Sequence, residues 1–320
     1  MTLTRRGLLG AMLAAGVAQA PITASARPDS LRHTKRFKLS APVHALFQHQ
    51  PLADTTVMQS MAFDTPNHRL FTAQLKSGTA ASTGTLTLSR LDFAGNVLGR
   101  MYLAGFGHGV SIGAQGVGGT SYLWTETDVD TANGRGRQIC RFPWQDGATL
   151  TKDSPSLTTW KPVADGAVFT PAVDQRYGRL GVRYSLADGM HINIYSLAAA
   201  QNGDFSTVLA SFKQPAFTPG IDFQGWALYG SYVYFWEGEA YPGGTPDPSK
   251  INSKLWCYDL KKGRIVDSLL TTAGADLTHR EAEGIAVYGG TDATARLCFG
   301  FASGVTGDRR ANLFCNTKLV

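Results

Sequence analysis

The sequence predicts an all-β fold, a five-bladed β-propeller built from four-stranded antiparallel blades. One unit, a polar start followed by two short apolar strands around a turn, occurs five times along the chain. A third strand with period-two alternation follows each pair, and equivalent positions near the ends of these third strands lie 51, 53, 63 and 57 residues apart. This spacing is typical of propeller blades, and four-stranded units that close radially form a propeller. A β-sandwich or two small barrels are the alternatives.

The repeated units can be placed residue by residue. The strand pairs are 59–64 with 69–74, 108–113 with 121–126, 170–174 with 179–185, 224–230 with 232–237, and 281–290 with 295–304. The third strands are 85–91, 138–142, 191–195, 254–258 and 311–315. The predicted blades therefore cover about 57–103, 106–152, 168–213, 222–270 and 281–320.

The last unit lacks an outer strand. A fourth strand follows in most units, as at 96–101 and 264–269, but the fifth unit stops after its third strand. We expect the segment Phe37–Ala45, within an N-terminal lead at 27–56, to supply the missing strand. The ring then closes between the N- and C-terminal strands, which leaves no long unpaired edge.

Residues 1–26 predict an export signal. Arg5 and Arg6 precede an apolar run from Leu8 to about Ala18, and small residues follow at 24–26. The run is shorter than the ~20 residues that span a bilayer, and the twin arginine is typical of a Tat signal. An ordinary Sec signal that contains Arg-Arg is the alternative. We expect a secreted or periplasmic protein without membrane insertion.

The charge and composition exclude one class of partner. The formal net charge is +6, and it falls to +4 when the two arginines of the signal are removed, which leaves 28 basic against 24 acidic residues. This small excess, without runs of Lys or Arg, argues against a nucleic-acid partner. We expect a monomer, because the five units form one closed body.

Four cysteines occur in the chain. Cys140 and Cys257 fall at matching positions of different repeats, so we expect them to lie far apart. Cys298 and Cys315 lie on successive strands of one hairpin. This placement leaves open whether the second pair forms a disulfide, as an exported protein allows, or stays as two buried thiols.

Two rings of side chains are predicted at one face of the propeller, because the first strand of each blade starts there and the second strand ends there. The inner ring is Gln59, His108, Thr170, Gln224 and Glu283. The outer ring is Gln74, Glu126, Arg183 with Tyr184, Glu237 and Ser303. Polar groups that converge at the mouth of an apolar body are typical of a ligand site. The alternative is that they only cap the channel.

Acidic and aromatic residues extend this hypothesis. Several glutamates at one face repel each other unless a ligand or partner compensates. Tryptophans adjoin them, and aromatic faces beside hydrogen-bonding side chains suit sugar rings. The predicted substrate-binding residues are Gln59, Gln74, Trp124, Glu126, Gln224, Trp226, Trp236 and Glu237.

Several phrases carry a resemblance to a known family. These phrases are Gln59-Ser-Met-Ala-Phe-Asp, Gly107-His-Gly-Val-Ser-Ile-Gly, Glu283-Gly-Ile-Ala, Leu88-Ser-Arg-Leu-Asp and Leu123-Trp-Thr-Glu. In these five short phrases the chain resembles the teichoic acid biosynthesis protein C-like propellers. The chain is similar also to the receptor-binding propellers of some staphylococcal phage tails. The resemblance covers roughly residues 57–317 and implies a five-bladed propeller that works on a cell-wall or extracellular glycopolymer. It implies no particular chemistry, since fold does not fix activity.

The leading functional hypothesis is a polysaccharide lyase that acts by β-elimination on a uronic-acid polymer. Elimination needs a base for the C5 proton, a donor to the leaving oxygen and a group that neutralises the carboxylate. We predict His108 and Tyr184 as base and acid, and Arg183 for the carboxylate, because arginine binds carboxylates in bidentate fashion. Glu283 completes the predicted catalytic set.

Other function classes compete with the lyase. A glycoside hydrolase would use two acids among Glu126, Glu237 and Glu283, but comparable five-bladed glycosidases have Asp, Asp and Glu where this chain has Gln, His and Gln. A lectin would bind teichoic acid or a related polymer without catalysis, although clustered glutamates would repel an anionic polymer. A propeller with a plugged channel that serves protein interaction is the third alternative.

No cofactor and no metal site are predicted. Asp128–Gly134 resembles a calcium loop, but its spacing departs from the EF-hand pattern and no acid follows at the twelfth position. We interpret it as a turn, with a bound calcium ion as the alternative.

Overall fold

The computed structural model describes residues 31–320, so the predicted export signal at 1–26 lies outside the described residues. Strands dominate this part of the chain. They are β1 (Val43–Pro51), β2 (Met58–Asp64), β3 (Arg69–Leu75), β4 (Leu86–Leu91), β5 (Val97–Ala104), β6 (Gly113–Val117), β7 (Thr120–Asp130), β8 (Arg135–Pro143), β9 (Thr149–Thr151), β10 (Thr158–Trp160), β11 (Ala167–Asp174), β12 (Arg179–Leu186), β13 (Gly189–Ser196), β14 (Ala210–Lys213), β15 (Phe223–Tyr229), β16 (Tyr232–Glu237), β17 (Lys254–Asp259), β18 (Arg264–Leu270), β19 (Glu281–Tyr288), β20 (Arg296–Val305) and β21 (Asp308–Asn316). One short helix, α1 (Leu197–Ala200), and 3-10 turns at Ala81–Thr83, Pro242–Gly244 and Pro248–Lys250 complete the described elements.

The strands form five sheets, which are the five blades of a propeller. Blade 1 is β2-β3-β4-β5, blade 2 is β6-β7-β8-β10, blade 3 is β11-β12-β13-β14, blade 4 is β15-β16-β17-β18, and blade 5 is β19-β20-β21-β1. Neighbouring strands within each blade pair antiparallel, and β9 adds a short parallel pairing to the edge of blade 1. The predicted fold class is therefore confirmed.

The ring closes where the two ends of the chain meet. Strand β1 pairs antiparallel with β21 and becomes the outer strand of blade 5. This strand occupies Val43–Pro51, whereas the sequence predicts it at Phe37–Ala45. Phe37 makes an isolated bridge to Leu319 instead, because its ring is buried against Tyr229 and Tyr234 of blade 4. The lead thus packs against blade 4 before the chain joins blade 5.

Blade 2 departs most from the predicted boundaries. Its inner strand begins at Gly113, although the sequence predicts a strand from His108. The N–H of Gly109, a residue with a φ of 77°, donates to the Glu126 carboxylate instead of joining a ladder. Residues 149–151 pair with β5 of blade 1, so the outer strand of blade 2 lies beyond the predicted end at 152, as β10.

The core lies between the faces of adjacent blades and continues to the axis. All five inner strands contribute to a cavity of only about 20 Å³ on this axis. Its lining is apolar and includes Ile112, Ala172, Trp226 and Ile285. A space of this size holds about one water molecule at most. Side-chain packing therefore closes the axial channel, and a cavity at its mouth is closed at its inner end.

The four cysteines have different states. Cys298 and Cys315 face each other in the register of β20 and β21 and form a disulfide within blade 5. Cys140 and Cys257 are buried free thiols in blades 2 and 4. The sequence left open whether Cys298 and Cys315 form a disulfide or stay as thiols, and the structure shows the disulfide.

Blades 5 and 1 approach each other closely at a glycine. Gly284 has a φ of 67°, and a Cβ on this residue would lie 2.8 Å from the Cα of Ser60. That distance is too short for two carbon atoms, and the obstructing atom belongs to the backbone. A side chain at position 284 would therefore separate the two inner strands.

We predict that Gly284→Ala destabilises the protein more than a glycine substitution without a steric clash. Gly307→Ala is the matched control, because Gly307 has a φ of 84° and open space around its Cα. The control should lower the free energy of unfolding by about 1–2 kcal/mol through backbone strain alone. Gly284→Ala should cost a further ~1–3 kcal/mol through the clash. Equal losses in a denaturant titration of the two variants would contradict this close approach.

Candidate functional site

A cavity of about 490 Å³ lies at the mouth of the closed channel, and all five blades contribute to it. We call it the axial pocket. Its lining residues are Val57, Gln59, His108, Val110, Arg135, Val168, Thr170, Arg183, Met190, Asp222, Phe223, Gln224, Glu281 and Glu283. All five predicted inner-ring residues belong to this set. Polar groups from five strands converge here on one concave surface, as in small-molecule sites.

A larger cavity of about 650 Å³ lies at the periphery, between β1 and the β4–β5 turn. Arg100 and Asp146 are the charged residues that line it. The Asp146 carboxylate accepts a hydrogen bond from the Arg100 backbone N–H, so this acid already has a partner. We therefore take the axial pocket as the candidate site.

β-Bulges present the inner-ring side chains to the axial pocket. Four inner strands have a register shift at their start, between Met58 and Ser60, between Ala167 and Thr170, between Phe223 and Gly225, and between Ala282 and Ile285. A bulge leaves a residue out of the ladder and re-aims its side chain. Gln59, Gln224 and Glu283 lie within three of these shifts. Val168 lies within the fourth and has a φ of 53°, which is strained for a β-branched residue.

One side of the axial pocket, on blades 2 and 3, is basic. We call His108, Arg135 and Arg183 the basic half. Arg183 is 8% exposed, donates from Nε to Gln214 Oε1 at 2.6 Å, and lies over the Phe223 ring at 4.1 Å. Burial, and then the charge of Arg135, lower the pKa of Arg183 to about 9, so it stays charged at neutral pH. Within residues 31–320, neither arginine has an ion pair.

The His108 imidazole is neutral at physiological pH. Burial, followed by repulsion from Arg135, lowers the pKa of His108 to about 4. Its ring nitrogens make no hydrogen bond with the described residues. A neutral imidazole offers one donor and one acceptor, so His108 can contact a ligand without adding charge.

The other side of the axial pocket, on blades 4 and 5, is acidic. We call Asp222, Glu281 and Glu283 the acidic half. Glu283 is 3% exposed, and Gln59 Nε2 lies 3.4 Å from its Oε1. Burial, and then the charge of Glu281, raise the pKa of Glu283 well above its usual value. Glu281 Oε2 lies 2.8 Å from His279 Nε2 at the rim.

The predicted outer ring has a different task from the inner one. Gln74 donates to the backbone carbonyls of Asp54 and Thr56, which precede β2. Glu126 accepts from the N–H of Gly109, before β6, and Glu237 accepts from Thr218, before β15. We call these the lead-in contacts, because each joins the end of a second strand to the loop that leads into the first strand of the same blade.

Because of the lead-in contacts, three residues that were predicted to bind ligand do not line the axial pocket. Gln74, Glu126 and Glu237 are buried with their polar atoms bonded to the protein. Burial raises the pKa of Glu126, although the N–H groups of Gly136 and Gly109 oppose that shift. Glu126 and Glu237 are therefore separated from Glu281 and Glu283, which stay together in the axial pocket.

The predicted aromatic residues also lie away from the axial pocket. Trp124 stacks on Trp160, Trp226 packs against Gly181, and Trp236 packs against Phe299. All three predicted tryptophans are at most 1% exposed, so none offers a face to a sugar. The aromatic residue that does line the axial pocket is Phe223, beneath Arg183.

Tyr184 does not accompany its sequence neighbour Arg183 into the axial pocket. Successive residues of a strand face opposite sides of the sheet, so Tyr184 lies on the other face of blade 3 from Arg183, above β13. There its hydroxyl donates to Asn193 Oδ1 at 3.2 Å and its ring stacks on His191. Arg183 and His108 meet in the axial pocket without the predicted acid.

Sequence reasoning missed Arg135. It follows a turn at Asn133-Gly134 and begins β8, so its position in the chain is typical of an exposed hairpin residue. Arg135 could have been identified from its position at the ring face, between the end of β7 and the start of β8.

The segment Asp128–Gly134 covers the end of β7 and the turn that joins it to β8. The Asp130 carboxylate forms an ion pair with Arg137 at 3.2 Å and accepts the N–H of Ala132. In the described part of the chain, no group of three or more His, Cys, Asp or Glu is arranged to hold a metal ion. The same residues include no helix long and apolar enough to cross a membrane.

Comparisons with known proteins agree with this architecture. Residues 57–315 match the family described as the phage 5-bladed beta propeller receptor binding platform domain. The chain is 28% identical over 301 residues to the "Putative major teichoic acid biosynthesis protein C" of Bacillus subtilis (strain 168), covering 89% of this chain and 64% of that protein. It is similar in structure to the tail fiber of Staphylococcus aureus phage P68, with a TM-score of 0.70 and 20% identity, over 86% of this chain and 52% of that one.

The fold and the pocket thus define a five-bladed propeller with a polar site at one end of its axis. The chain belongs to the phage 5-bladed beta propeller receptor binding platform family. The resemblance inferred from the sequence phrases is confirmed. The chain spans about two thirds of the Bacillus protein and about half of the phage tail fiber.

We predict that the pKa of His108 rises when the charge beside it is removed. Arg135→Gln eliminates the repulsion but not the burial, which is the larger cause. The pKa should therefore rise from about 4 but stay below the ordinary value of 6.5. Arg137→Gln is the control, since Arg137 pairs with Asp130 outside the axial pocket. An NMR titration of the histidine ring protons measures both, and an unchanged pKa in Arg135→Gln would show that Arg135 does not act on His108.

We also predict how His108 affects stability as a function of pH. The unfolded chain takes up a proton on this residue near pH 6.5, whereas the folded protein resists protonation down to about pH 4. His108 therefore makes the protein lose stability as the pH falls between these values. The His108→Asn variant should lose less stability than the wild type as the pH falls over that interval. Melting temperatures that fall equally with pH in the two proteins would contradict this.

Proposed function

We propose that this protein binds an anionic cell-surface glycopolymer in the axial pocket. The observation that carries the proposal is the basic half, where two arginines lie in a concave site and neither forms an ion pair within residues 31–320, although the buried Glu126 carboxylate acts on both charges. Arginine recognises phosphate and carboxylate groups through bidentate hydrogen bonds. An anion in the pocket would satisfy both guanidinium groups.

The rest of the lining suits a polyhydroxylated ligand. Gln59, Thr170 and Gln224 line the axial pocket with hydrogen-bonding groups from three blades. The Thr170 hydroxyl is buried and lacks a partner in the described structure. A buried polar atom without a partner is costly, and a sugar hydroxyl would supply the missing bond.

The lead-in contacts remove the main objection to anion binding. Clustered glutamates would repel an anionic polymer, but Glu126 and Glu237 bond to the protein outside the axial pocket. Glu283 has a raised pKa and is protonated over a wider pH range than an ordinary carboxyl group. The charge that an anion meets on blades 2 and 3 is therefore positive.

The relatives support the same ligand class. One is named for teichoic acid biosynthesis and another is a phage tail fiber, and the family is described by receptor binding. A predicted export signal would deliver this protein to the compartment where such polymers lie. Other activities of these longer proteins are not carried over to this chain.

β-Elimination on a uronic-acid polymer is the second candidate, because His108 and Arg183 share the axial pocket. Binding is favoured over elimination for two reasons. Tyr184, the predicted acid, contacts Asn193 instead. A histidine with a pKa of about 4 is also a weak base at neutral pH.

We predict that the purified protein binds glycerol phosphate and uronic-acid polymers but not neutral dextran. Affinity should fall with salt, because the attraction is electrostatic. Arg135→Gln and Arg183→Gln should each weaken binding by about tenfold or more, through the loss of a charged hydrogen bond. Arg137→Gln should bind as the wild type does. Biolayer interferometry with immobilised polymers measures these affinities, and thermal melting verifies folding.

Two outcomes would contradict the proposal. Equal binding of charged and neutral polymers would exclude a role for the arginines. A rising ultraviolet absorbance of unsaturated sugar, lost in His108→Ala, would establish the lyase instead.

A further inference from the structure

The charges of the axial pocket are divided between its two sides. The basic half lies on blades 2 and 3, and the acidic half lies on blades 4 and 5. Each half acts on its own members, since Arg135 lowers the pKa of His108 and Arg183 while Glu281 raises that of Glu283. In residues 31–320, no ion pair joins the two halves.

This separation has a cost that internal pairing would avoid. Side chains that only capped the channel would gain by pairing across it, because buried charges without partners are unfavourable. Here the two halves line the same cavity of about 490 Å³ without pairing with each other. Arg183 has a single hydrogen bond from its guanidinium, to Gln214, within the described chain. Its remaining donors are available to a ligand.

Two buried polar groups in the same cavity also lack adequate partners. Thr170 is 1% exposed and its hydroxyl has no hydrogen bond with the described residues. Glu283 is 3% exposed, and its one partner there, Gln59, is 3.4 Å away. The Thr170 hydroxyl is independent of the charges, and both groups indicate that a polar ligand completes the site.

We propose that the axial pocket recognises a zwitterionic repeating unit, whose anion lies against the basic half and whose primary ammonium lies against the acidic half. This inference rests on the proposed function and specifies its ligand. An ammonium offers three donors, which carboxylate oxygens of Glu281 and Glu283 can accept. The cavity has the size of a small-molecule site, so one unit can reach both halves.

The occupied site differs in protonation from the empty one. Glu283 has a raised pKa because it is buried beside Glu281. A bound cation favours the ionised carboxylate, so the ammonium would lower the raised pKa of Glu283. An amino sugar and an aminoacyl ester carry the same ammonium group, and the pocket chemistry is common to both sources.

We predict that glucosamine 1-phosphate binds about tenfold or more tightly than analogues that lack either its ammonium or its phosphate. The analogues are glucose 1-phosphate and N-acetylglucosamine 1-phosphate, which lack the ammonium, and methyl glucosaminide, which lacks the phosphate. Calorimetry measures the affinities, and weak probes are ranked by their competition with a bound glycerol phosphate polymer. Glycerol phosphate with an aminoacyl ester serves as the second ammonium source, and tighter binding of either source supports the inference.

Variants locate the two ends of the ligand. Glu281→Gln and Glu283→Gln should each reduce the preference for glucosamine 1-phosphate over glucose 1-phosphate severalfold. Glu239→Gln is the matched control, because Glu239 is exposed and lies outside the axial pocket. Calorimetry in two buffers of different ionisation enthalpy should detect proton release by the wild type and none by Glu283→Gln.

The failures of the two proposals can be told apart. Equal affinity for glucosamine 1-phosphate and glucose 1-phosphate, with polymer binding intact, would overturn the zwitterionic ligand and leave the anionic polymer. Tighter binding of methyl glucosaminide than of the phosphates would overturn both. A preference that persists in both glutamate variants would also overturn the assignment of the ammonium to the acidic half.

Discussion

The lead-in contacts are the interactions on which the geometry of this propeller depends. Gln74, Glu126 and Glu237 each bond the end of a second strand to the loop before the first strand of the same blade. The starts of those first strands line the axial pocket in blades 1, 2 and 4, so these bonds fix that part of its wall. The donors are buried with the acceptors, and a partner removed from such a pair leaves an unsatisfied polar group. In blades 1, 2 and 4 the second strands therefore shape a site that they do not line.

The same contacts determine the electrostatics of the axial pocket. They take two carboxylates out of the ring face and leave one acidic group of residues, on blades 4 and 5. Opposite it, Arg183 is supported by Gln214 and by the Phe223 ring, neither of which neutralises its charge. The remaining charges of the pocket lie on two sides, and this division is the basis of the proposed zwitterionic ligand.

The blade number, the ring closure and the inner ring were predictable from the sequence, because repeats and strand starts follow local pattern and spacing. The roles of the tryptophans were not. Adjacent blades pack face to face, so both sides of a strand are buried, and β16 (Tyr232–Glu237) is buried at every position. Alternation then cannot tell which residue faces a ligand. The bulges and the position of Arg135 were missed because both depend on the register in which the strands pair. A shift of one residue changes this register. The closing strand was misplaced because Phe37 packs on blade 4.

Closure of the ring by β1 and β21 has a consequence for how the protein forms. The fifth blade takes its outer strand from the first part of the chain and its other three from the last. Contacts between distant parts of a sequence slow folding, because the intervening chain must be ordered first. Four blades can assemble during synthesis, but the edges of the ring stay open until the last strand has left the ribosome. The ring of this propeller thus stays open until β21 is available to pair with β1, and the open intermediate is the stage at which its strand edges are exposed to other chains.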